Sequence, residues 1–239
     1  MKNVTLIFTL LLIIGCKKEN KNQLDLGMDN SDKVSSSRFD KKPVLEDTIF
    51  FVYDEKSKWN DFALVYLLDK KYTKDSVCEA TFKIDFKSNT KINYSKTFKI
   101  NGVNEGSEWF GELELDSIAS PLKRLSFGYP ACGYLQNNFL FYIDKNNSNL
   151  IHQWDSSSDS GWGYWAEVVS GKPEDFYFRS ESFSPFDETV NDDELGLNEF
   201  SDSIHFKFEN NKWNTIYETP KGKVYRSKKI SFTKFYKNN

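Results

Sequence analysis

Several segments of this chain alternate apolar and polar residues with a period of two, and this is the feature that most limits its fold. The clearest examples are TFKIDF at 81–86 and SIHFKF at 203–208. Successive side chains of a β-strand point to opposite faces of a sheet, so this alternation predicts half-buried strands. A chain built from many such segments has to bury its apolar faces by packing sheets against one another.

Other segments are more continuously apolar: IFFVY at 49–53, FALVYLL at 62–68 and NFLFYI at 138–143. Such runs are typical of central strands that are covered on both faces. The 21 phenylalanines and 12 tyrosines also favour pleated surfaces over helices. We therefore predict an all-β fold, an antiparallel β-sandwich of about a dozen strands.

Short turn signals separate the predicted strands, among them Asn101-Gly102 and Asn210-Asn211. EKSKWN at 55–60 and ENNKWN at 209–214 resemble one another and suggest repeated hairpins. A small propeller-like array of hairpins is the alternative fold, but the unequal spacing favours the sandwich. The one helical turn predicted begins at Ser120-Pro121, where serine would cap the turn.

The N-terminus reads MKNVTLIFTLLLIIGC, with a basic Lys2 followed by an apolar run over 4–14. A run of this length suits a signal-peptide core, whereas a membrane-spanning helix needs about 20 residues. The run ends in the four residues Ile-Ile-Gly-Cys at 13–16. The segment therefore predicts export from the cytoplasm.

Residues 13–16 resemble the lipobox of bacterial lipoproteins, and the resemblance covers only residues 1–16. It implies cleavage before Cys16 and attachment of acyl chains to the sulfur and the new amino group of that cysteine. Several chains anchor a protein firmly, since one chain alone gives marginal membrane binding. The next residue is Lys17, not the aspartate that retains some lipoproteins at the inner membrane. We therefore expect a lipid-anchored protein of the cell envelope, at the outer membrane.

These observations divide the chain into residues 1–15 as a signal peptide, 16–47 as a lipidated cysteine with a flexible tether, and 48–239 as a single β-rich domain. The tether segment is polar and low in aromatic residues, so it buries too little apolar surface to offset the entropy of ordering it. Two half-size domains with a seam near 144–148 are the alternative.

Charge and motifs exclude several functional classes. The chain carries 32 basic and 35 acidic residues, a net charge of −3, whereas a nucleic-acid-binding protein presents a basic face. No glycine-rich phosphate loop, GxSxG, HExxH or CxxC is present, so we predict no cofactor and no zinc. His152 and His205 are the only histidines.

Cys78 and Cys132 remain once Cys16 is assigned to lipid. An exported compartment permits disulfides, and these two cysteines flank predicted strands. A Cys78–Cys132 bridge closing about fifty residues would contribute on the order of 4 kcal/mol. The alternative is two unpaired cysteines, one of them buried as a small apolar residue.

The most acidic segment is FDETVNDDELGLNEFSD at 186–202. Its candidate calcium ligands are Asp187, Asp192 and Asp193, because calcium prefers clustered oxygen ligands. The spacing does not fit an EF-hand loop, and no flanking helices are predicted. A solvated acidic loop is therefore the favoured interpretation, and we predict no metal.

Three tryptophans surround one small polar stretch in HQWDSSSDSGWGYWAEV at 152–168. If 155–161 is a loop between antiparallel strands, Trp154 and Trp162 meet across the ladder. Trp165 lies three positions after Trp162, and side chains an odd number of positions apart in a strand point to opposite faces of the sheet. We expect Trp154 to be buried and one of the other two indoles to be exposed, while an ordinary core role for all three is the alternative.

An exposed indole beside aspartate and serine is typical of sugar or peptide contacts. The candidate ligand contacts are Trp162, Trp165, Asp155 and Asp159. The sequence thus predicts an envelope binding protein for a glycan, a peptide or a partner protein. One alternative is an exported glycosidase that uses two carboxylates among Asp155, Asp159 and Glu167. A structural envelope component is the second alternative.

Overall fold

A computed structural model describes most of the region predicted to fold. The described residues are 42–51, 61–115, 120–130, 134–145, 147–159, 162–186 and 195–237. Within them lie thirteen β-strands and one short α-helix. Every strand pairing is antiparallel, which confirms the predicted all-β class.

The smaller sheet has four strands in the order β1-β2-β3-β4. Their bounds are Val44–Phe50 for β1, Asp61–Tyr72 for β2, Cys78–Ser88 for β3 and Lys91–Asn101 for β4. The run FALVYLL forms the inner strand β2, as predicted. The run IFFVY supplies only the end of β1, an edge strand that begins at Val44, ahead of the expected domain start at Thr48.

The larger sheet has nine strands in the order β12-β11-β10-β9-β8-β7-β6-β5, and β13 also pairs with β11. The first four are Glu108–Leu113 (β5), Leu122–Gly128 (β6), Gln136–Ile143 (β7) and Ser148–Asp159 (β8). The others are Trp162–Lys172 (β9), Asp175–Pro185 (β10), Leu195–Glu209 (β11), Lys212–Tyr217 (β12) and Val224–Ser231 (β13). The helix α1 spans Phe232–Lys237.

A local signal explains one of the hairpins. Asn210 and Asn211 both have positive φ, 53° and 60°, as a two-residue hairpin between β11 and β12 requires. Asp144 N, just after β7, donates a 2.9 Å hydrogen bond to Asn147 O, just before β8, and the alternative of a domain seam at 144–148 stays a prediction. The helical turn predicted at Ser120-Pro121 is wrong, because β6 begins directly afterwards.

The smaller sheet packs against β5–β7, and the apolar side chains between them form the sandwich core. Most of these side chains are phenylalanines and aliphatic residues from the inward-facing positions of both sheets. The buried aromatic members are Phe51, Phe82, Phe86, Phe98, Trp109, Phe127, Phe139 and Phe141. This packing confirms the predicted sandwich and excludes the array of hairpins around an axis.

A second core covers the opposite face of β6 and β7. Leu140 and Tyr142 alternate with the sandwich-core residues of β7 and pack against strands from the other half of the larger sheet. Its fully buried members from β10 and β11 are Phe176, Phe178, Ile204 and Phe206. β7 is therefore covered on both faces, which explains its continuous apolar run.

A third, smaller cluster lies around α1. Phe235 of α1 stacks on Phe183 at 4.5 Å between ring centroids, and Ile230 of β13 packs with them. This cluster anchors the chain end on the larger sheet. No helix in the described ranges is long and apolar enough to cross a membrane.

Candidate functional site

The candidate site lies where β8 changes its pairing partner. Residues up to Ser156 pair with β7, whereas Ser157–Asp159 pair with β9. Ser156 and Ser157 are both buried although they are adjacent in the strand, as expected of a strand that bends from one part of a sheet into another. We call this position the β8 joint.

Gly163 lets β9 approach the β8 joint closely. A Cβ atom added at Gly163 would lie 3.0 Å from the carbonyl oxygen of Ser157 and 3.0 Å from the Trp165 ring. A larger residue would require these neighbours to shift by a few tenths of an ångström, because such contacts are shorter than ordinary van der Waals separation. The glycine between Trp162 and Tyr164 therefore suits the close approach of the two strands.

A pocket of about 160 Å³ opens at the β8 joint and is lined by Tyr134, Gln136, Ser156–Ser158, Tyr164 and Trp165. Its walls combine aromatic rings with hydroxyl and amide groups. This combination provides flat apolar surfaces together with hydrogen-bond donors and acceptors, as ligand pockets commonly do. The volume is below the roughly 300–1,000 Å³ typical of drug-sized ligands, so it suits one residue of a longer ligand.

A row of buried hydrogen bonds leads across the sheet to the pocket. Ser126 Oγ donates to Asn138 Oδ1 at 2.6 Å, and Asn138 Nδ2 donates to Ser156 Oγ at 2.9 Å. Ser156 Oγ in turn donates to Gln136 Oε1 at 3.2 Å. Buried polar groups need partners, and this row fixes the orientation of both pocket residues. The Gln136 amide nitrogen donates to no residue in the described part of the chain.

The tyrosines of the pocket are neutral hydrogen-bonding groups. Burial and, to a smaller extent, the Asp155 carboxylate raise the pKa of Tyr164. Burial and the hydrogen bond from Tyr134 Oη to Glu108 Oε1, at 3.1 Å, raise the pKa of Tyr134. Both phenols therefore keep their protons at neutral pH and present rings that are about two-fifths exposed.

Exposed apolar side chains continue from the pocket to the end of the sheet. Trp162 is 41% exposed, Phe186 is 56% exposed and Leu195 is 53% exposed. Phe186 N donates to Leu195 O at 3.1 Å, and strand alternation puts both on the same face as Trp162 and Tyr164. We call Trp162, Tyr164, Phe186 and Leu195 the aromatic rim. Adjacent exposed apolar groups of this kind mark interaction surfaces.

The predicted loop at 155–161 is wrong. β8 continues to Asp159, which pairs with Trp162, whereas Trp154 pairs with Asn138 of β7. Trp154 and Trp162 are therefore not cross-strand partners. The serines and aspartates extend the strand because tertiary pairing with β7 and β9 outweighs their low β-propensity.

The three indoles nevertheless differ in exposure. Trp154 was predicted to be buried but is only partly buried, because it packs on Phe178 at 4.9 Å between centroids at the edge of the second core. Trp165 lies against Phe235 of α1 at 5.0 Å and also lines the pocket. Trp162 has the most exposed ring of the three.

Truncating the two neighbouring indoles should separate their roles. We expect Trp165→Ala to lower the unfolding free energy by about 2 kcal/mol, less than a fully buried aromatic, because the ring is half-buried against α1. Trp162→Ala should change it by at most about 0.5 kcal/mol. Urea denaturation of both variants measures the difference, and equal losses would contradict this assignment.

The candidate carboxylates lie outside the pocket lining. Asp155 Oδ1 accepts a 2.7 Å hydrogen bond from Asn137 Nδ2, and Asp159 lies at the end of β8. Glu167 pairs with Arg179, whose Nη2 lies 2.7 Å from Glu167 and 3.4 Å from Glu181. The guanidinium group thus bridges Glu167 and Glu181, so this pair of carboxylates leaves no space between them for a glycosidase substrate.

The remaining predicted sites are the three cysteines and the acidic segment. Cys78 is buried, and Cys132 lies outside the described residues, so the Cys78–Cys132 bridge stays a prediction. Cys16 and the acidic candidates Asp187, Asp192 and Asp193 also lie outside them. Among the side chains that are described, no three His, Cys, Asp or Glu residues form a metal-binding group.

Sequence reasoning missed four parts of the pocket: Tyr134, Gln136, Tyr164 and the three serines at 156–158. The polar residues Gln136, Asn137 and Asn138 at the start of β7 were the available signal, because polar residues that open a central strand need partners. The convergence of Gln136 and Asn138 on Ser156 depends on strand register, which no local pattern reveals.

Comparisons with protein-family models, curated protein sequences and solved structures find no match to this chain.

Proposed function

We propose that the protein is an exported, lipid-anchored binding protein of the bacterial cell envelope, and that it binds a glycan chain at the pocket and aromatic rim. The observation that carries the proposal is the pocket itself, where ring faces lie beside serine hydroxyls and a side-chain amide. Sugars offer apolar ring faces and many hydroxyls, so both kinds of group find complements here.

The size and position of the pocket support an extended ligand. A volume of about 160 Å³ suits one sugar ring, and the rim of Trp162, Phe186 and Leu195 supplies further apolar contact beyond it. A peptide with an aromatic side chain is the competing ligand, since it would use the same ring contacts. Screening both classes separates them.

Binding is tested with residues 17–239 produced without the proposed lipid. We expect a hit on a glycan array and a dissociation constant measurable by isothermal titration calorimetry. Tyr164→Ala and Trp162→Ala should each weaken this binding about tenfold, since stacking contacts of this kind contribute on the order of 1–1.5 kcal/mol. Ile216→Ala is the matched control, because Ile216 is equally exposed but lies on β12.

Two outcomes would contradict the glycan proposal. One is binding that is unaffected by both rim variants. The other is turnover of the bound glycan, detected as released fragments, which would favour the hydrolase.

The anchor has its own test. Mass spectrometry of the native protein should find the mature N-terminus at Cys16, carrying acyl chains. Cys16→Ser should move the protein from the membrane fraction to the soluble fraction, because it removes the attachment atom. The outer-membrane assignment predicts sedimentation of the wild type with outer-membrane markers. An intact 1–15 segment or an unmodified Cys16 would overturn the lipoprotein proposal.

A further inference from the structure

Three cationic side chains surround one phenylalanine on the larger sheet. The Arg179 guanidinium carbon lies 4.8 Å from the Phe200 ring centroid, the Arg226 guanidinium carbon 5.4 Å and the Lys228 Nζ atom 5.3 Å. Phe200 itself is buried, so the cations lie over it on the outer side. We call Arg226, Lys228 and Phe200 the β13 cationic site.

Arg179 is neutralised by its neighbours. Its Nη2 atom lies 2.7 Å from Glu167 Oε1 and 3.4 Å from Glu181 Oε2. Glu181 is buried and also accepts a 2.8 Å hydrogen bond from Asn198 Nδ2. Arg179, Glu167 and Glu181 thus form a set of one cation and two carboxylates, and neither glutamate makes an ion pair with Arg226 or Lys228.

Arg226 and Lys228 have no such partner in the described part of the chain. No carboxylate there lies within 4 Å of either side chain. Both are exposed, and they occupy neighbouring positions on one face of β13, opposite Phe200 and Asn198. Two adjacent cations without a carboxylate partner in the described chain create a local positive potential that attracts anions.

The Phe200 ring positions the charged groups of Arg226 and Lys228. Cation–π contact holds each charged group over Phe200 and limits its rotamers, so less entropy is lost when a ligand binds. The Arg226 guanidinium offers a planar fork of donors and Lys228 offers a compact ammonium group. That pair matches a tetrahedral oxyanion such as phosphate, which accepts several charge-assisted hydrogen bonds.

We propose that the β13 cationic site binds a phosphate group through Arg226 and Lys228. The phosphate belongs either to an anionic lipid headgroup or to a soluble phosphorylated ligand. Strand alternation places the site on the opposite face of the sheet from Trp162 and Tyr164. Trp165 of the pocket lies on the same face as the site, but the site uses neither Trp162 nor Tyr164, so it can be tested separately from glycan binding.

The test uses residues 17–239 with two probes. Isothermal titration with inorganic phosphate measures the soluble source. Co-sedimentation with vesicles of phosphatidylcholine, alone or mixed with phosphatidylglycerol, measures the headgroup source. The double variant R226Q/K228Q should bind about 10- to 30-fold more weakly to whichever probe the wild type binds, as expected for two basic groups.

The control variant K70Q/K91Q removes the same charge from exposed positions on β2 and β4 and should bind like the wild type. Phosphate binding supports a soluble ligand, whereas binding only to vesicles that contain phosphatidylglycerol supports the headgroup. The absence of binding to both probes overturns the proposal. Equal losses in the two double variants also overturn it, because they indicate a diffuse charge effect. Circular dichroism confirms that each variant is folded.

Discussion

Replacing Phe141 with alanine is expected to lower the free energy of unfolding by about 3–5 kcal/mol. The Phe141 ring is fully buried in the sandwich core. It contacts three rings from the opposing sheet, with centroids 4.7 Å away for Phe86, 6.2 Å for Tyr94 and 6.1 Å for Phe98. Truncation removes these contacts and leaves a cavity that strands paired on both sides of β7 cannot close.

Urea denaturation followed by circular dichroism measures this loss. Phe186→Ala is the matched control, because Phe186 is more than half exposed, and we expect it to change stability by at most about 0.5 kcal/mol. A loss below about 1 kcal/mol for Phe141→Ala would contradict the described packing of β7.

The second large effect is a pH dependence that arises from His152. Its ring packs against Phe178 at 4.8 Å and Phe206 at 5.3 Å between centroids. Burial among these rings lowers the pKa of His152 from 6.5 to about 4. The folded protein therefore binds this proton less readily than the unfolded chain does, so the histidine favours unfolding as it becomes protonated.

The sign and range of the effect follow from those two pKa values. Between pH 6.5 and about 4 the unfolded state holds more protons, so stability rises with pH in that range and falls on acidification. The His152 contribution to this loss is about 3 kcal/mol, at roughly 1.4 kcal/mol for each pH unit.

Denaturation at a series of pH values tests the assignment. His152→Gln should remove this part of the pH dependence. The free energy of unfolding of the variant minus that of the wild type should therefore increase by about 3 kcal/mol as the pH falls from 7 to 4. His205→Gln keeps His152 in place and should keep the His152 contribution. Parallel curves for the wild type and His152→Gln would refute the assignment.

Local patterns in the sequence predicted most of the strands correctly. The alternating segments at 81–86 and 203–208 lie within β3 and β11, and the apolar run at 138–143 lies within β7. These predictions succeed because side-chain alternation and burial are properties of one strand. The turn at Asn210-Asn211 is equally local, since it depends on residues that tolerate positive φ.

The bend of β8 was not predictable by the same reasoning. Ser156 and Ser157 are polar and small, and their burial depends on β7 and β9 reaching them from distant parts of the chain. Turn-forming composition therefore suggested a loop where tertiary pairing makes a strand. Strand alternation predicted that either Trp162 or Trp165 would be exposed, whereas the polar lining of the pocket was not predicted.

The β8 joint has a mechanical consequence for the pocket beside it. β8 and β9 share three residue pairs in the described chain, fewer than any other neighbouring strands of the larger sheet. The joint is thus where the fewest residue pairs connect strands β5–β8 to strands β9–β13 of the larger sheet. A small change in the angle between them would widen or narrow the opening among Tyr134, Ser157 and Tyr164. A change in sheet curvature at the joint would therefore also change the width of the pocket.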